Sequence, residues 1–234
     1  MLTNSEIRTI RSLREKKFRD ELGLFVVEGE KMVREALASD MEVEAVYRVE
    51  EVGEPAMSKM SQLTTPSPVL AVVRRPLPGP VDIGRDLYVG LDAVRDPGNL
   101  GTIIRLADWF GVSTVFCSPD CVDAFNPKVV QATMGAIFRV KVIYCNLPAL
   151  CRRFKEAGLP VYGTFLNGTD IYTSKLSAAG LVLMGNESNG IGPEAGAEAD
   201  ERLLIPSFNG SRAESLNVAV ATAVTLSEFR RRLI

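Results

Sequence analysis

The densest group of residues able to do polar chemistry lies in Asp92-Ala-Val-Arg-Asp-Pro-Gly-Asn-Leu-Gly-Thr-Ile-Ile-Arg105. The apolar run Leu87-Tyr-Val-Gly-Leu91 precedes it and reads as a buried strand. Asp96-Pro-Gly98 predicts a tight turn, because Pro fixes one φ and Gly can take a positive one. Asn99 then stands where an N-cap belongs, and Leu100 to Phe110 predicts a helix. Such a strand–turn–helix edge turns backbone N–H groups and polar side chains toward a ligand. Asn99 and Arg105 are about 600° apart at ~100° per residue. They share a face only if Asn99 lies off the helix, as a cap does.

Other chemistries fall away by residue type. The chain has no histidine, which removes Ser-His-Asp and Cys-His schemes. Its cysteines, Cys117, Cys121, Cys145 and Cys151, form no Cys-x-x-Cys pair, so nothing points to zinc. No P-loop is present, and no Gly-x-Gly-x-x-Gly follows the first strand. The glycines of interest come late, at Gly185, Gly190 and Gly192, where backbone could approach a ligand closely or simply turn. Glu187 stands among them, as a turn cap or as a working carboxylate. Ser215 opens the last helix as a good N-cap, close to Asn217.

These residues must be held by an alternating α/β framework. The second half reads as strands 87–92, 113–118, 139–144, 160–166, 181–185 and 202–205. Helices at 99–110, 128–136, 147–157, 193–198 and 215–232 fall between and after them. This predicts a mostly parallel sheet covered by helices. Residues 1–75 alternate as well, with helices at 4–16, 31–38 and 50–63 and strands at 24–28, 43–47 and 69–73. The segment Arg75-Pro-Leu-Pro-Gly-Pro80 is a stiff linker. The expected division is 1–75, a linker over 76–84, and 85–234.

Composition sets the outer limits. The 234 residues are 46% hydrophobic and 24% charged, with a net charge of −2, ordinary for a globular protein of one or two domains. A purely electrostatic nucleic-acid binder would be basic, so any anion-binding surface must be local. Arg8, Arg11, Arg14, Lys16, Lys17 and Arg19 form one local cluster, readable as a solvated helix face or a phosphate patch. The polar N-terminus has no signal-peptide core, and no apolar run nears the ~18 residues of a membrane span. The expected setting is a reducing cytoplasm.

Asp96-Pro-x-Asn99-x-Gly101-x-x-x-Arg105 resembles the first motif of the SpoU (TrmH-like) family, RNA ribose 2'-O-methyltransferases of the SPOUT superfamily. Leu183-Met-Gly-Asn-Glu187-x-x-Gly190 resembles the second motif. Ile205-Pro206 with Glu214-Ser-Leu-Asn217-Val-Ala-Val resembles the third. Three ordered motifs over 92–220 make the resemblance specific. It implies S-adenosylmethionine as cofactor, wrapped by loops near Gly185, Asn186, Ile205 and Leu216, with Thr164 as a third wall. It implies catalytic positions at Asn99, Arg105, Glu187, Ser215 and Asn217, with Glu187 holding the Arg105 guanidinium bidentately. It also implies a SPOUT-type sheet closed by a trefoil knot and a homodimer through the C-terminal domain.

For 1–75 the resemblance implies an RNA-binding domain using Arg8, Arg11, Arg14 and Lys17, with rRNA ahead of tRNA as substrate. The family nominates Arg105 to activate the ribose hydroxyl. A guanidinium keeps its proton to above pH ~12, so gripping a neighbouring phosphate is physically easier. Two rival readings remain: an RNA-binding protein that keeps the fold without catalysis, and a methyltransferase directed at a base.

Overall fold

The computed structural model describes residues 2–77, 79, 82–208 and 214–233. In chain order the elements begin with α1 (Asn4–Ser12), α2 (Lys16–Leu22), β1 (Leu24–Glu28), α3 (Glu30–Leu37), β2 (Val43–Arg48), α4 (Val49–Val52), α5 (Glu54–Met60) and β3 (Val69–Arg74). The chain continues through β4 (Leu87–Leu91), α6 (Pro97–Trp109), β5 (Thr114–Cys117), α7 (Pro127–Thr133), β6 (Lys141–Tyr144) and α8 (Leu147–Glu156). It finishes with β7 (Val161–Asp170), β8 (Gly180–Met184), α9 (Pro193–Ala197), β9 (Glu201–Leu204) and α10 (Val218–Arg231). Two compact units result: Met1–Gly79 with Asp123–Arg139, and Pro80–Val122 with Val140–Ile234. Pro78, Pro80 and Val81 of the expected 76–84 linker lie outside the described residues.

The first unit is built on an antiparallel sheet, β1-β3-β2, whose central β3 is buried from Val69 to Val73. Its first helix begins at Asn4, as expected, and is capped by Thr3. Thr3 Oγ1 accepts from Glu6 N–H while Glu6 Oε2 accepts from Thr3 N–H at 2.7 Å, a capping box. The helix stops at Ser12, and Glu15 caps a separate α2. Residues 50–63 likewise divide at Gly53, whose φ of 81° a side chain would resist.

Segment 123–139 belongs to this first unit, although the Pro-rich linker suggests a cut that would leave it in the second. Its anchor is Asp123, whose Oδ2 accepts from both Nε and Nη2 of Arg19 at 2.9 and 2.7 Å. The same guanidinium donates to the carbonyls of Leu13 and Arg14, and both side chains of the pair are buried. Phe125 stacks on Phe25 with centroids 4.8 Å apart, and the Arg75 guanidinium covers Phe125.

The second unit is a six-stranded parallel sheet in the order β6-β5-β4-β8-β7-β9. β4, β5 and β8 are buried throughout, as a sheet covered on both faces requires. From β4 the chain builds outward through β5 to β6, then crosses to place β8, β7 and β9 on the other side. The β4–β8 boundary is therefore a topological switch point, where ligands of open α/β sheets gather at the strand carboxyl ends. β7 runs four residues beyond the expected 160–166 strand. Its register on β9 slips, because Thr164 and Thr169 both face Leu203, which leaves 165–168 as a bulge.

α10 packs on α6 and is anchored at its C-terminal end. Arg230 Nε donates to the Phe110 carbonyl at 2.7 Å, closing the end of α6. Glu228, 4% exposed, accepts from Arg231 and Arg232, and Arg232 also reaches the carbonyl of Ile171 at 2.7 Å. The hydrogen bond from Arg231, with help from Arg232, outweighs the burial penalty and holds the Glu228 carboxyl at about 2.

Two outcomes follow. Arg19→Ala leaves Asp123 buried and unpaired, which costs about 3–5 kcal/mol, whereas Arg19→Met with Asp123→Leu recovers most of it; urea unfolding measures both. A carboxyl with a depressed pKa contributes stability that is complete above its ordinary value of 4.5 and is lost as pH falls toward about 2. The melting temperature should fall through that window, and Glu228→Gln should flatten that part of the profile.

Candidate active site

The site forms where β4 and β8 end side by side. Leu91 pairs with Met184, and the next residue, Asp92, donates its N–H to the Met184 carbonyl at 2.9 Å. Asp92 Oδ2 accepts from Gly192 N–H at 2.7 Å. Ala93 takes a φ of 54°, unusual for a residue with a Cβ, and is held from two sides. Its N–H donates to Ser118 Oγ at 2.9 Å, and its carbonyl accepts from Asn186 Nδ2 at 2.7 Å. Val94 N–H donates to Cys121 Sγ, and the Cys121 thiol donates to the Leu91 carbonyl. The neighbouring Cys117 thiol lowers Cys121 to about 7, against the effect of burial.

The N-cap of α6 is Asp96, not Asn99. Asp96 Oδ1 accepts from Asn99 N–H at 2.8 Å, and Pro97 fills the first helical position, where no N–H is needed. Asn99 therefore sits in the first turn with its side chain free of capping. Its Nδ2 donates to Glu187 Oε1 at 2.8 Å, and its Oδ1 accepts from Asn217 Nδ2 at 2.9 Å. The chain has one direction, since a carboxylate can only accept and so fixes the amine side of Asn99 toward Glu187.

Asn217, not Ser215, caps α10: its Oδ1 accepts from Ala219 and Val220 N–H. Ser215 is exposed two residues upstream and makes no hydrogen bond among the described residues.

The glycine loop is closed on itself. Asn186 and Gly190 exchange backbone hydrogen bonds at 2.9 and 3.0 Å, with Gly190 at a φ of 68°. Asn186 Oδ1 accepts from Ser188 and Asn189 N–H, and a Cβ on Gly185 would lie 2.0 Å from the Gly190 carbonyl carbon. Gly185 must therefore be glycine. Thr164 commits its hydroxyl to the Leu183 carbonyl at 3.1 Å. Ile205 is half-buried and Leu216 exposed; residues 209–210 of the loop after Ile205 lie outside the described residues.

Asn99, Glu187 and Asn217 thus come together, while Arg105 stands apart on the exposed side of α6. Glu187 faces the amides of Asn99 and Asn186, and no ion pair joins it to Arg105 among the described residues. The bidentate Glu187–Arg105 pairing is not formed, because Asn99 in the first helical turn takes the place at the carboxylate. In the first unit Arg8, Arg11, Arg14 and Lys17 are exposed, although Arg14 also donates to the Ser61 carbonyl. Arg19 leaves that cluster for the interior.

Sequence reading missed Asp92, Ser118 and Cys121. Asp92 had a signal, a carboxylate at a strand's carboxyl end. Ser118 and Cys121 had none, since they meet Ala93 and Val94 only through the sheet.

Residues 86–227 match the model of the SpoU rRNA Methylase family, and residues 4–54 match the MRM3-like substrate binding domain. The 23S rRNA (guanosine(2553)-2'-O)-methyltransferase RlmP of Bacillus subtilis is 33% identical over 97% of this chain and 96% of its own. A TrmH-family protein from Porphyromonas gingivalis has 38% identity and a TM-score of 0.91, covering 99% of both chains. The AdoMet-bound rRNA methyltransferase from Sinorhizobium meliloti has 35% identity and a TM-score of 0.89, covering 100% of this chain and 97% of its own.

The reassigned cap is testable by urea unfolding. Asn217→Ala should cost about 1 kcal/mol or more, because two N–H groups of α10 lose their acceptor. Ser215→Ala should stay within about 0.5 kcal/mol.

Proposed function

The chain belongs to the SpoU rRNA methylase family, and we propose that Asn99, Arg105, Glu187, Ser215 and Asn217 form its methyl-transfer site. Its activity is S-adenosylmethionine-dependent methylation of an RNA ribose 2'-hydroxyl. The observation that carries the site assignment is the hydrogen-bonded chain Asn217–Asn99–Glu187. It gathers side chains 118 and 88 residues apart at the carboxyl ends of β4 and β8.

The cofactor belongs, in this reading, against Thr164, Gly185, Asn186, Ile205 and Leu216. The residues fit such a group. Gly185 has no room for a side chain, while Ile205 and Leu216 offer partly exposed apolar surface of the kind an adenine and a methionyl chain take up. When bound, S-adenosylmethionine supplies an electrophilic methyl group, so the protein's share is proximity and charge placement.

The 2'-oxygen must shed its proton as it gains the methyl. Glu187 already accepts from two amides, which suits it to orienting Asn99. Arg105, exposed and without a partner among the described residues, suits a grip on the phosphate beside the target ribose.

The same reading places RNA on the exposed Arg8, Arg11, Arg14 and Lys17, with rRNA ahead of tRNA. The match of residues 4–54 to a substrate binding domain supports this. It assigns 1–75 to substrate binding and 85–234 to methyl transfer, with the trefoil knot in the latter. It also includes a homodimer through the second unit. α10 exposes Val220 and leaves Ala223 and Val224 half-buried beside an open cavity of about 660 Å³ that Phe110 and Tyr172 help line, and Trp109 is 83% exposed. A second copy is the occupant we propose for that apolar face. Among the described residues no helix is long and apolar enough to cross a membrane, in keeping with the cytoplasmic setting we propose.

Transfer of labelled methyl to purified rRNA and tRNA, followed by nucleoside analysis, tests the function. A 2'-O-methyl nucleoside in rRNA is expected. Product on a base, or none on any RNA, would overturn the reading in favour of its rivals. For Arg105, Arg105→Ala should lose about 100-fold or more in turnover, with S-adenosylhomocysteine affinity unchanged. Arg105→Lys should keep part of the rate with a pH profile parallel to wild type. A profile that instead rises with deprotonation of the introduced lysine would make residue 105 a base.

A further inference from the structure

We infer that Asp92 is a positioning residue for the cofactor loop, clamping its far end through the Gly192 amide. The inference rests on the cofactor assignment above. The loop after β8 has two ends to fix. At the near end, Gly185 lies against the backbone of Gly190, and the Asn186–Gly190 exchange closes the turn. Beyond that turn Ile191 packs against the core and the Gly192 carbonyl accepts from Gly196 N–H at the start of the five-residue α9, which leaves the Gly192 N–H as the group still to be held.

Asp92 supplies the missing restraint from the neighbouring strand, through a charge-assisted hydrogen bond of 2.7 Å to Gly192 N–H. Its own backbone is fixed to Met184, the last residue of β8, so one residue spans both ends of the loop. The contact is also close in the other sense, because a Cβ on Gly192 would come 3.1 Å from Asp92 Oδ2.

A carboxylate is a costly choice for a purely structural tie. Asp92 is half-buried and forms no ion pair among the described residues, so the desolvation of its charge goes uncompensated by a cation. What the charge gives is a stronger hold on one amide. That hold sets how the backbone at 190–192 faces the site.

Gly192 has an ordinary φ of −63°, so an alanine there meets no backbone penalty and acts only by pressing on Asp92. The two positions should therefore be coupled, and a double-mutant cycle can read that coupling.

Calorimetry with S-adenosylhomocysteine is the test, on the full chain and without RNA. Asp92→Ala should weaken binding about tenfold or more, the usual size for losing a hydrogen bond to a charged group. Asp92→Asn, which keeps a neutral acceptor for the Gly192 amide but loses the charge, should weaken binding by an intermediate amount, clearly less than Asp92→Ala. Gly192→Ala should weaken binding on its own but add little to Asp92→Ala. Without ligand, amide exchange at 190–192 should be faster in Asp92→Ala than in Asp92→Asn, at matched melting temperatures.

Unchanged affinity in Asp92→Ala would overturn the inference. So would Asp92→Asn as weak as Asp92→Ala, full additivity with Gly192→Ala, or exchange at 190–192 alike in both variants. A wild-type protein that binds no S-adenosylhomocysteine would overturn the cofactor assignment itself, whereas normal wild-type binding with an unaffected Asp92→Ala would remove only the clamp.

Discussion

The second unit depends on the pairing of β4 with β8. These strands lie next to each other although 88 residues separate Asn99 from Glu187, the two side chains linked just beyond their ends. Five residues of each pair in register, from Leu87 with Gly180 to Leu91 with Met184. A slip of one residue would send every side chain to the opposite face of a sheet buried on both sides. Gly90 makes such a slip costlier, since a Cβ there would meet Leu183 Cδ2 at 2.8 Å. With the register fixed, the two strands end together, and Asp92 to Val94 emerge beside Gly185 to Gly192. The loop after β5 then grips Ala93 and Val94 from the other side through Ser118, Cys121 and Val122.

Sequence periodicity located nearly all of these strands, because a sheet buried on both faces demands short continuous apolar runs bounded by turns. Helix ends were less legible. In Asp96-Pro-Gly-Asn99 both Asp and Asn are good caps, and only the backbone path decides between them. The answer matters for chemistry: with Asp96 as cap, the Asn99 amide is released to join Glu187 and Asn217. Ser215 and Asn217 posed the same choice at α10, and again the later residue's partner could not be read from composition. The bulge in β7 was hidden for a different reason. It arises from how Thr164 and Thr169 share Leu203 on a neighbouring strand, a non-local fact.

Charge was the least legible property, because a count does not reveal which charges are spent inside the fold. Arg19 looks like a member of a basic surface cluster, yet it is buried on Asp123, a residue 104 positions away. That pair also explains why 123–139 joins the first unit, which no local pattern announces. Arg230, Arg231 and Arg232 look like a basic tail, yet they hold the Phe110 carbonyl, Glu228 and the Ile171 carbonyl.

This spending of charge bears on how a chain of net charge −2 handles a polyanion. Overall field cannot draw RNA in, so attraction has to come from the few cations left unneutralised. In the second unit Arg105 is such a cation, carried on the 13-residue α6 about one and two-thirds turns beyond the Asn99 link. The polar groups at the carboxyl ends of β4 and β8 are already satisfied: Asn99 by Glu187 and Asn217, Asn186 by Ala93 and its own turn, Asp92 by Gly192. A site arranged in this way spends little on reorganisation when substrate arrives, because its hydrogen bonds are made before the ligand is present. Asn99, rather than Arg105, occupies the Glu187 carboxylate, and the Arg105 guanidinium has no partner among the described residues. Had the expected Glu187–Arg105 pair formed, that charge would have been neutralised within the protein.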